Sequence, residues 1–296
     1  MTTNPKNRQL SPLSRRLALK TCASGVLLGA AGFGGAAWAQ QQPLALSTAI
    51  NRAGLLRALS QRTAKAYTQM TLDVLPEQSK DVLVTAQRIV KTNLMELGRA
   101  GLSGEAASLL AVCSADAERL FGLVGGAPAA SHLADINKAA DQLLVSADRL
   151  TAALEGRSKT SAKILNVAGR QRMLSQRLAK SFMLIEAGQD SSGMRQQMDA
   201  ARSEFVLALN ALEAAPVSTP AIKQELLQAR TQWMFYQSAL DGKDKPVARR
   251  DVATTSERIL EVMDSLTSRY DAALRELLGT VAYDDTRYAG LLQSAV

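Results

Sequence analysis

A seventeen-residue segment occurs twice in this chain of 296 residues, and this repetition limits the folds open to the chain more than any other feature. The copy starting at Asn51 reads NRAGLLRALSQRTAKAY, and the copy starting at Asn166 reads NVAGRQRMLSQRLAKSF, with ten identical positions and no gap. A weaker similarity relates residues 135–150 to residues 251–266 at nearly the same separation. Two nearly equal separations indicate duplication of a whole unit of about 115 residues, a longer period than those of solenoid repeats.

The helix-breaking residues in the rest of the chain are sparse and stand at intervals that predict helices. Between them lie runs of about 20 residues rich in Ala, Leu, Gln, Arg and Glu, which are strong helix formers. Thr219 followed by Pro220 is a typical helix start. Apolar residues between Ile259 and Leu277 follow one another at steps of three or four, which is one face of a helix. No stretch alternates β-branched and polar residues, so strands are not predicted.

These patterns predict an all-α fold of two tandem antiparallel four-helix-bundle repeats. The first repeat covers residues 40–156 and the second covers residues 157–279, with residues 280–296 as a C-terminal tail. Only Gly156 interrupts the helical pattern from residue 134 to residue 182, so this stretch is open to one long helix that joins the two repeats.

The first 39 residues have the pattern of an export signal. Arg15 and Arg16 precede an uncharged stretch from Thr21 to Ala39 that ends in Ala-Trp-Ala. A basic segment, an apolar segment and such an ending are typical of a secretory signal, and the paired arginines resemble a twin-arginine signal. A membrane anchor is the alternative, but the stretch is rich in glycine and alanine and only weakly apolar. We expect cleavage after Ala39 and a soluble, periplasmic mature protein.

Charge and composition exclude several classes of function. The formal net charge is +8, but five of the 35 lysines and arginines lie in residues 1–39, which hold no acid. The remainder is too nearly balanced to predict nucleic acid as a partner. His132 is the single histidine, and only Cys22 and Cys113 carry thiols. We therefore predict no enzyme activity, no metal site and no cofactor, with Cys113 as a buried apolar residue and His132 as a surface residue.

The repeated segment places a basic stripe on one face of its helix. On a helical wheel the stripe falls within one arc of about 140° and leucines occupy the other side. In the first copy it consists of Asn51, Gly54, Arg57, Ala58, Gln61, Arg62 and Lys65. In the second copy it consists of Asn166, Gly169, Arg172, Met173, Gln176, Arg177 and Lys180.

A plain solvated helix face is one interpretation of this stripe, but two features favour a binding surface. The polar residues agree between the copies better than several apolar ones, such as Leu56 against Gln171. A glycine in the middle of a helix costs about 1 kcal/mol unless something approaches its backbone closely. Guanidinium groups beside a glycine are suited to a small oxyanion.

The motif residues also resemble a known family. Asn-x-Ala-Gly-x-x-Arg in both copies, continued as Met-Leu-Ser-Gln-Arg in the second, is similar to the N-terminal domain of PilJ-like type IV pilus methyl-accepting chemotaxis transducers. It is also similar to the first helix of NarX-like nitrate and nitrite sensors. The resemblance implies periplasmic helical sensor modules in which Arg57 and Arg172 clamp the anion and Gly54 and Gly169 offer backbone.

We add the other polar residues of the stripe as candidate ligand-binding residues: Asn51, Asn166, Arg62 and Arg177. Such sensors are membrane receptors, whereas this chain has no second apolar span and no output domain, so we expect it to act through a separate membrane sensor or transporter. Two functions from different classes remain. The first is a soluble periplasmic sensory protein for nitrate, nitrite or a similar small oxyanion. The second is a non-enzymatic helical adaptor whose basic stripe docks an acidic helix of a partner. A homodimer is left open.

Overall fold

The computed structural model describes residues 44–157 and 162–278, and in these residues the chain forms helices and no strand. The elements are α1 (Leu46–Thr71), α2 (Pro76–Arg99), α3 (Gly104–Leu123), a short 3₁₀ turn (Ala130–His132), α4 (Leu133–Glu155), α5 (Lys163–Glu186), α6 (Ser192–Ala214), α7 (Pro220–Leu240) and α8 (Lys245–Leu278). The prediction of an all-α fold is therefore confirmed.

Several helix starts follow from local sequence. Pro220 occupies the first turn of α7, and the Thr219 hydroxyl accepts a hydrogen bond from the Ile222 backbone N–H at 3.3 Å. Pro76 also occupies the first turn of its helix, α2, where no side chain caps the start. Because proline fixes φ near its helical value and has no N–H to satisfy, it suits the first turn of a helix. The start of α7 at Pro220 agrees with the sequence prediction.

Two sets of four helices share one core. In the first set α1 packs on α2 and α4, and α3 packs on the same two helices. In the second set α5 and α7 each pack on α6 and α8. The most extensive helix–helix contact joins the sets through α1 and α5, and the described residues of both sets group into one compact unit. Of the 26 residues of α1, 19 are buried, because helices surround it on several sides.

The helix left open across residues 134–182 does not form. Helix α4 ends at Glu155, with Gly156 as its C-cap, and α5 begins at Lys163. The reason is the packing: α1 lies against both α4 and α5, whereas these two helices touch each other only slightly. One straight helix could not present both segments to α1.

Other sequence predictions fall partly outside the described residues. The export signal at residues 1–39 and the tail at residues 280–296 lie there. Among the helices that are described, none has the length and apolar character needed to cross a membrane.

Cys113 is buried, which confirms its predicted role, and burial raises the pKa of its thiol to about 11. His132 is exposed, as predicted, with its Nδ1 3.1 Å from the Tyr67 hydroxyl.

Candidate functional site

The basic stripe lies in the interior of the protein. Arg57 and Arg172 have side chains that are only 1% exposed, and Lys65 and Lys180 are also buried. The expectation of an accessible stripe, either solvated or docking a partner helix, was therefore wrong for these residues. The stripe is buried because α1 and α5 pack on each other, while α4 and α8 supply the acids that offset its charge.

Each central arginine pairs with one aspartate. Arg57 Nη1 donates a hydrogen bond to Asp148 Oδ1 on α4 at 2.7 Å, and Arg172 Nη1 donates to Asp264 Oδ1 on α8 at 2.6 Å. Desolvation by burial lowers the pKa of both arginines, and the paired aspartates partly offset this. The aspartate side chains are 45% and 51% exposed, so each pair joins a buried cation to an acid at the surface.

The two guanidinium groups meet above two glycines. Nη2 of Arg57 and Nη2 of Arg172 lie 3.0 and 3.9 Å from the point where a Cβ of Gly54 would stand. The same two atoms lie 3.6 and 3.3 Å from the corresponding point at Gly169. A side chain at either position would press on the arginines, so glycine is what allows α1 and α5 to hold both guanidinium groups here.

Several hydrogen-bonding atoms of this cluster are buried and unpartnered. They are Arg57 Nη2 and Arg172 Nε, and Asn166 Oδ1, on the same helix as Arg172, is also unpartnered. Asn51 accepts a hydrogen bond from Arg172 Nη2 through its Oδ1 at 2.8 Å, but Asn166 instead donates its Nδ2 to Glu155 at 2.6 Å. Buried polar groups usually find partners, so these two buried cations keep N–H donors that could serve a further acceptor.

The contacts of the two motif helices repeat each other. Ser60 and Ser175 donate to the carbonyls of Arg57 and Arg172, each at 2.8 Å. Gln61 donates to the Ala140 carbonyl at 3.2 Å, and Gln176 donates to the Ser256 carbonyl at 2.7 Å. Each glutamine thus reaches the helix, α4 or α8, that supplies the aspartate of its own arginine.

The two buried lysines of the stripe pair with acids of the other helix set. Lys65 of α1 pairs with Glu257 on α8, and Lys180 of α5 pairs with Asp141 on α4 at 2.6 Å. Arg57 and Arg172 therefore pair within a set, whereas Lys65 and Lys180 pair across the sets.

The structure brings some of the predicted residues together and separates others. Gly54, Gly169, Arg57, Arg172 and Asn51 form one cluster. The other three candidates have different partners. Asn166 donates to Glu155 at 2.6 Å. Arg62 pairs with Glu257, and Arg177 donates to Gln197 on α6 at 3.4 Å.

Sequence reasoning missed the aspartates of the cluster, Asp148 and Asp264. The weaker repeat could have identified them, because it aligns Asp148 with Asp264. A third charged group, Arg170, lies 3.7 Å from Asp148 and pairs with Glu204.

The arrangement defines a helical protein with a buried, paired-arginine cluster. A family model described as type IV pili methyl-accepting chemotaxis transducer N-term, PilJ, matches residues 153–257. The match begins near the end of α4, contains Gly169 and Arg172, and ends in α8. The PilJ-like prediction is thereby supported for this part of the chain, and this similarity indicates a signalling, sensory role. The comparisons with curated proteins and with solved structures give no significant match.

Proposed function

We propose that this chain is a periplasmic sensory protein that binds a small oxyanion, of the nitrate or nitrite type, between Arg57 and Arg172 and signals through a separate membrane partner. One observation carries the proposal: two guanidinium groups from different helices meet over Gly54 and Gly169 while retaining unpartnered N–H donors. Charge-assisted hydrogen bonds to an oxyanion would satisfy those donors.

The chemistry of arginine favours a planar oxyanion. A guanidinium group presents its N–H donors in a fixed fork that matches two oxygens in one plane, and it stays charged even when buried. Because Arg57 Nη2 and Arg172 Nε are both free, one small anion could accept from the two arginines together. A larger ligand would have to displace the helices that bury the cluster.

The family similarity supports a sensory role for the second half of the chain, and we extend it to the first. The two copies share ten of seventeen motif positions. Their arginines, serines and glutamines also make corresponding contacts. The presence of two related modules, the nitrate-like ligand, the relation to NarX-like sensors, and export with cleavage after Ala39 are all parts of the proposal. Docking of an acidic helix is less favoured, because acids of the chain itself already occupy the stripe.

Isothermal titration of residues 40–296 with nitrate, nitrite, phosphate and acetate tests this function. We expect one of these anions to bind and R57A or R172A to weaken its binding roughly tenfold to a hundredfold, because a hydrogen bond to a charged group contributes about 1.5–3 kcal/mol. R195A is the matched control, since Arg195 lies at the surface paired with Asp190. If both arginines hold one anion, the R57A/R172A variant should lose less than the two single losses added together.

Two results would contradict the proposal. One is that none of the four anions binds the wild-type protein or any variant. The other is that an anion binds with equal affinity to the wild type, R57A and R172A while circular dichroism shows that all three are folded.

A further inference from the structure

We propose that Asp148 and Asp264 compete with the anion inside the protein, so that a ligand binds by displacing a carboxylate from its arginine. The displaced aspartate would then release its helix, α4 or α8, from the central α1–α5 pair. This inference rests on the oxyanion site proposed above. It adds the residues that set the affinity of the site and a route from the site to the outer helices.

The charge of the cluster is the first reason. Arg57 and Arg172 are balanced by Asp148 and Asp264, and neighbouring Arg170 is balanced by Glu204. A bare anion added to this neutral set would leave a buried excess of negative charge, which is costly in a low-dielectric interior. Moving one carboxylate out into water as the anion enters keeps the buried charge balanced.

The uneven burial of each pair is the second reason. The aspartates are about half exposed, so water can solvate either one if it lets go of its arginine. The arginines are 1% exposed, so neither can be solvated when its carboxylate departs. A carboxylate therefore leaves only when another anion takes its place, and this links release of the helix to binding of the ligand.

The geometry of the two pairs is the third reason. Each aspartate accepts through one oxygen from a single Nη1, while another N–H of the same guanidinium group remains unpartnered. At Arg57, Nη1 and the unpartnered Nη2 form one fork, so a planar oxyanion that replaces Asp148 would use both donors and form the stronger contact. At Arg172, the unpartnered Nε offers the anion a further donor beside the Nη1 that Asp264 vacates. Asp148 has a second cation, Arg170, at 3.7 Å, whereas Arg172 is the single ion-pair partner of Asp264 among the described residues. Asp264 is accordingly the carboxylate that is displaced first.

The variant D264N tests this competition. We expect it to bind sodium nitrate roughly tenfold to a hundredfold more tightly than the wild type at constant ionic strength, because the internal competitor has lost its charge. Without nitrate it should unfold at a lower temperature than the wild type, and nitrate should raise that temperature by more. D148N should behave in the same way with a smaller gain. D241N is the control, since Asp241 pairs with Arg202 at the surface.

A second measurement uses the wild type alone and decides the matter if D264N does not fold. Hydrogen exchange with and without nitrate should become faster in α4 near Asp148 or in α8 near Asp264, while α3 stays unchanged. Slower exchange in both helices on nitrate addition would overturn the inference.

The outcomes separate this inference from the proposed function. Tighter nitrate binding by D264N, including binding that the wild type lacks, supports the competition. Binding by the wild type that D264N does not improve overturns the competition and leaves the proposed function standing. No binding of nitrate, nitrite, phosphate or acetate by the wild type or either variant overturns the proposed function itself.

Discussion

At the scale of single residues, the two mid-helix glycines are best explained by the arginines that lie against them. Both Nη2 atoms lie within 4 Å of the points where Cβ atoms of Gly54 and Gly169 would stand. The sequence indicated that something approaches these backbones, because glycine inside a helix is otherwise unfavourable. The approaching groups are the guanidinium groups of the same chain, which then present their free donors to the site.

Gly54→Ala should therefore lower the free energy of unfolding, although alanine is the better helix former. Its Cβ would lie 3.0 Å from Arg57 Nη2, so the guanidinium group must shift, and a shift that weakens its hydrogen bond to Asp148 would cost roughly 1–2 kcal/mol. Gly98→Ala is the control, since no atom lies within 4 Å of a Cβ there, and it should stabilise α2 by up to about 1 kcal/mol. Urea unfolding compares the two variants. Equal stabilisation by both would show that the close approach at Gly54 does not affect the free energy of unfolding.

Burial of the stripe could not be predicted, whereas its composition could. A helical wheel orders residues around an axis but does not show which side meets solvent. The acids that make burial possible, Asp148 and Asp264, lie about 90 residues away from their arginines in the chain. The shared arc of the helical wheel also placed Arg57 and Arg62 on one candidate ligand surface, yet Arg62 pairs with Glu257 instead.

At the scale of helices, buried lysines tie each central helix to the outer helix of the other set. Lys180 of α5 is almost fully buried and pairs with Asp141 of α4, which is 38% exposed. Lys65 of α1 is fully buried and contacts both Ser256 and Glu257 of α8. Because these pairs cross between the sets, they fix the register of α1 and α5 against α8 and α4.

The unequal burial of the Lys180 pair predicts unequal effects of its two single variants. D141N leaves a buried ammonium group without its counter-ion and should cost roughly 3–5 kcal/mol. K180M leaves an aspartate that water can solvate and should cost about 1 kcal/mol or less. Chemical denaturation measures both. Equal losses would show that the two partners depend on the pair to the same extent.

Glu257 gives the fold a defined sensitivity to acid. Burial raises the pKa of this carboxyl group, but attraction to Lys65 and hydrogen bonds from Arg62 outweigh burial and lower it to about 2 from an ordinary value of 4.5. A depressed folded-state pKa stabilises the protein above the unfolded-state value, and this stabilisation is lost as pH falls from about 4.5 towards 2. The loss is roughly 3 kcal/mol.

Urea unfolding at several pH values between 6 and 2 checks this dependence. The wild type should lose stability more steeply below pH 4.5 than the K65M/E257Q variant, in which the pair is replaced by neutral side chains of similar size. Parallel pH profiles would assign the acid sensitivity to other carboxylates.

At the scale of the whole molecule, the two four-helix sets depend on each other. The sequence predicted an all-α fold, because breakers and apolar periodicity are local. It did not predict that α1 and α5 form the most extensive helix contact, because that contact joins residues more than 100 positions apart. One continuous core includes residues from Ile50 in α1 to Tyr270 in α8.

Fragments of the chain should consequently not fold well alone. A fragment of residues 40–157 would expose the face of α1 that packs on α5, including Gly54 and Arg57. We expect it, and a fragment of residues 158–279, to show reduced helicity and broad thermal transitions compared with residues 40–296. Circular dichroism measures this. Two cooperative, fully helical fragments would show that each set is an independent domain.

Because Arg57 and Arg172 belong to a single polypeptide, the site they form does not depend on protein concentration. A clamp built from two separate chains forms only when those chains associate, so its ligand affinity falls on dilution. Here the second arginine is always supplied by the same molecule, at an effective concentration fixed by the fold. For the oxyanion site proposed above, occupancy should then depend on the concentration of the anion alone, and a single molecule could report that concentration even when the protein is scarce.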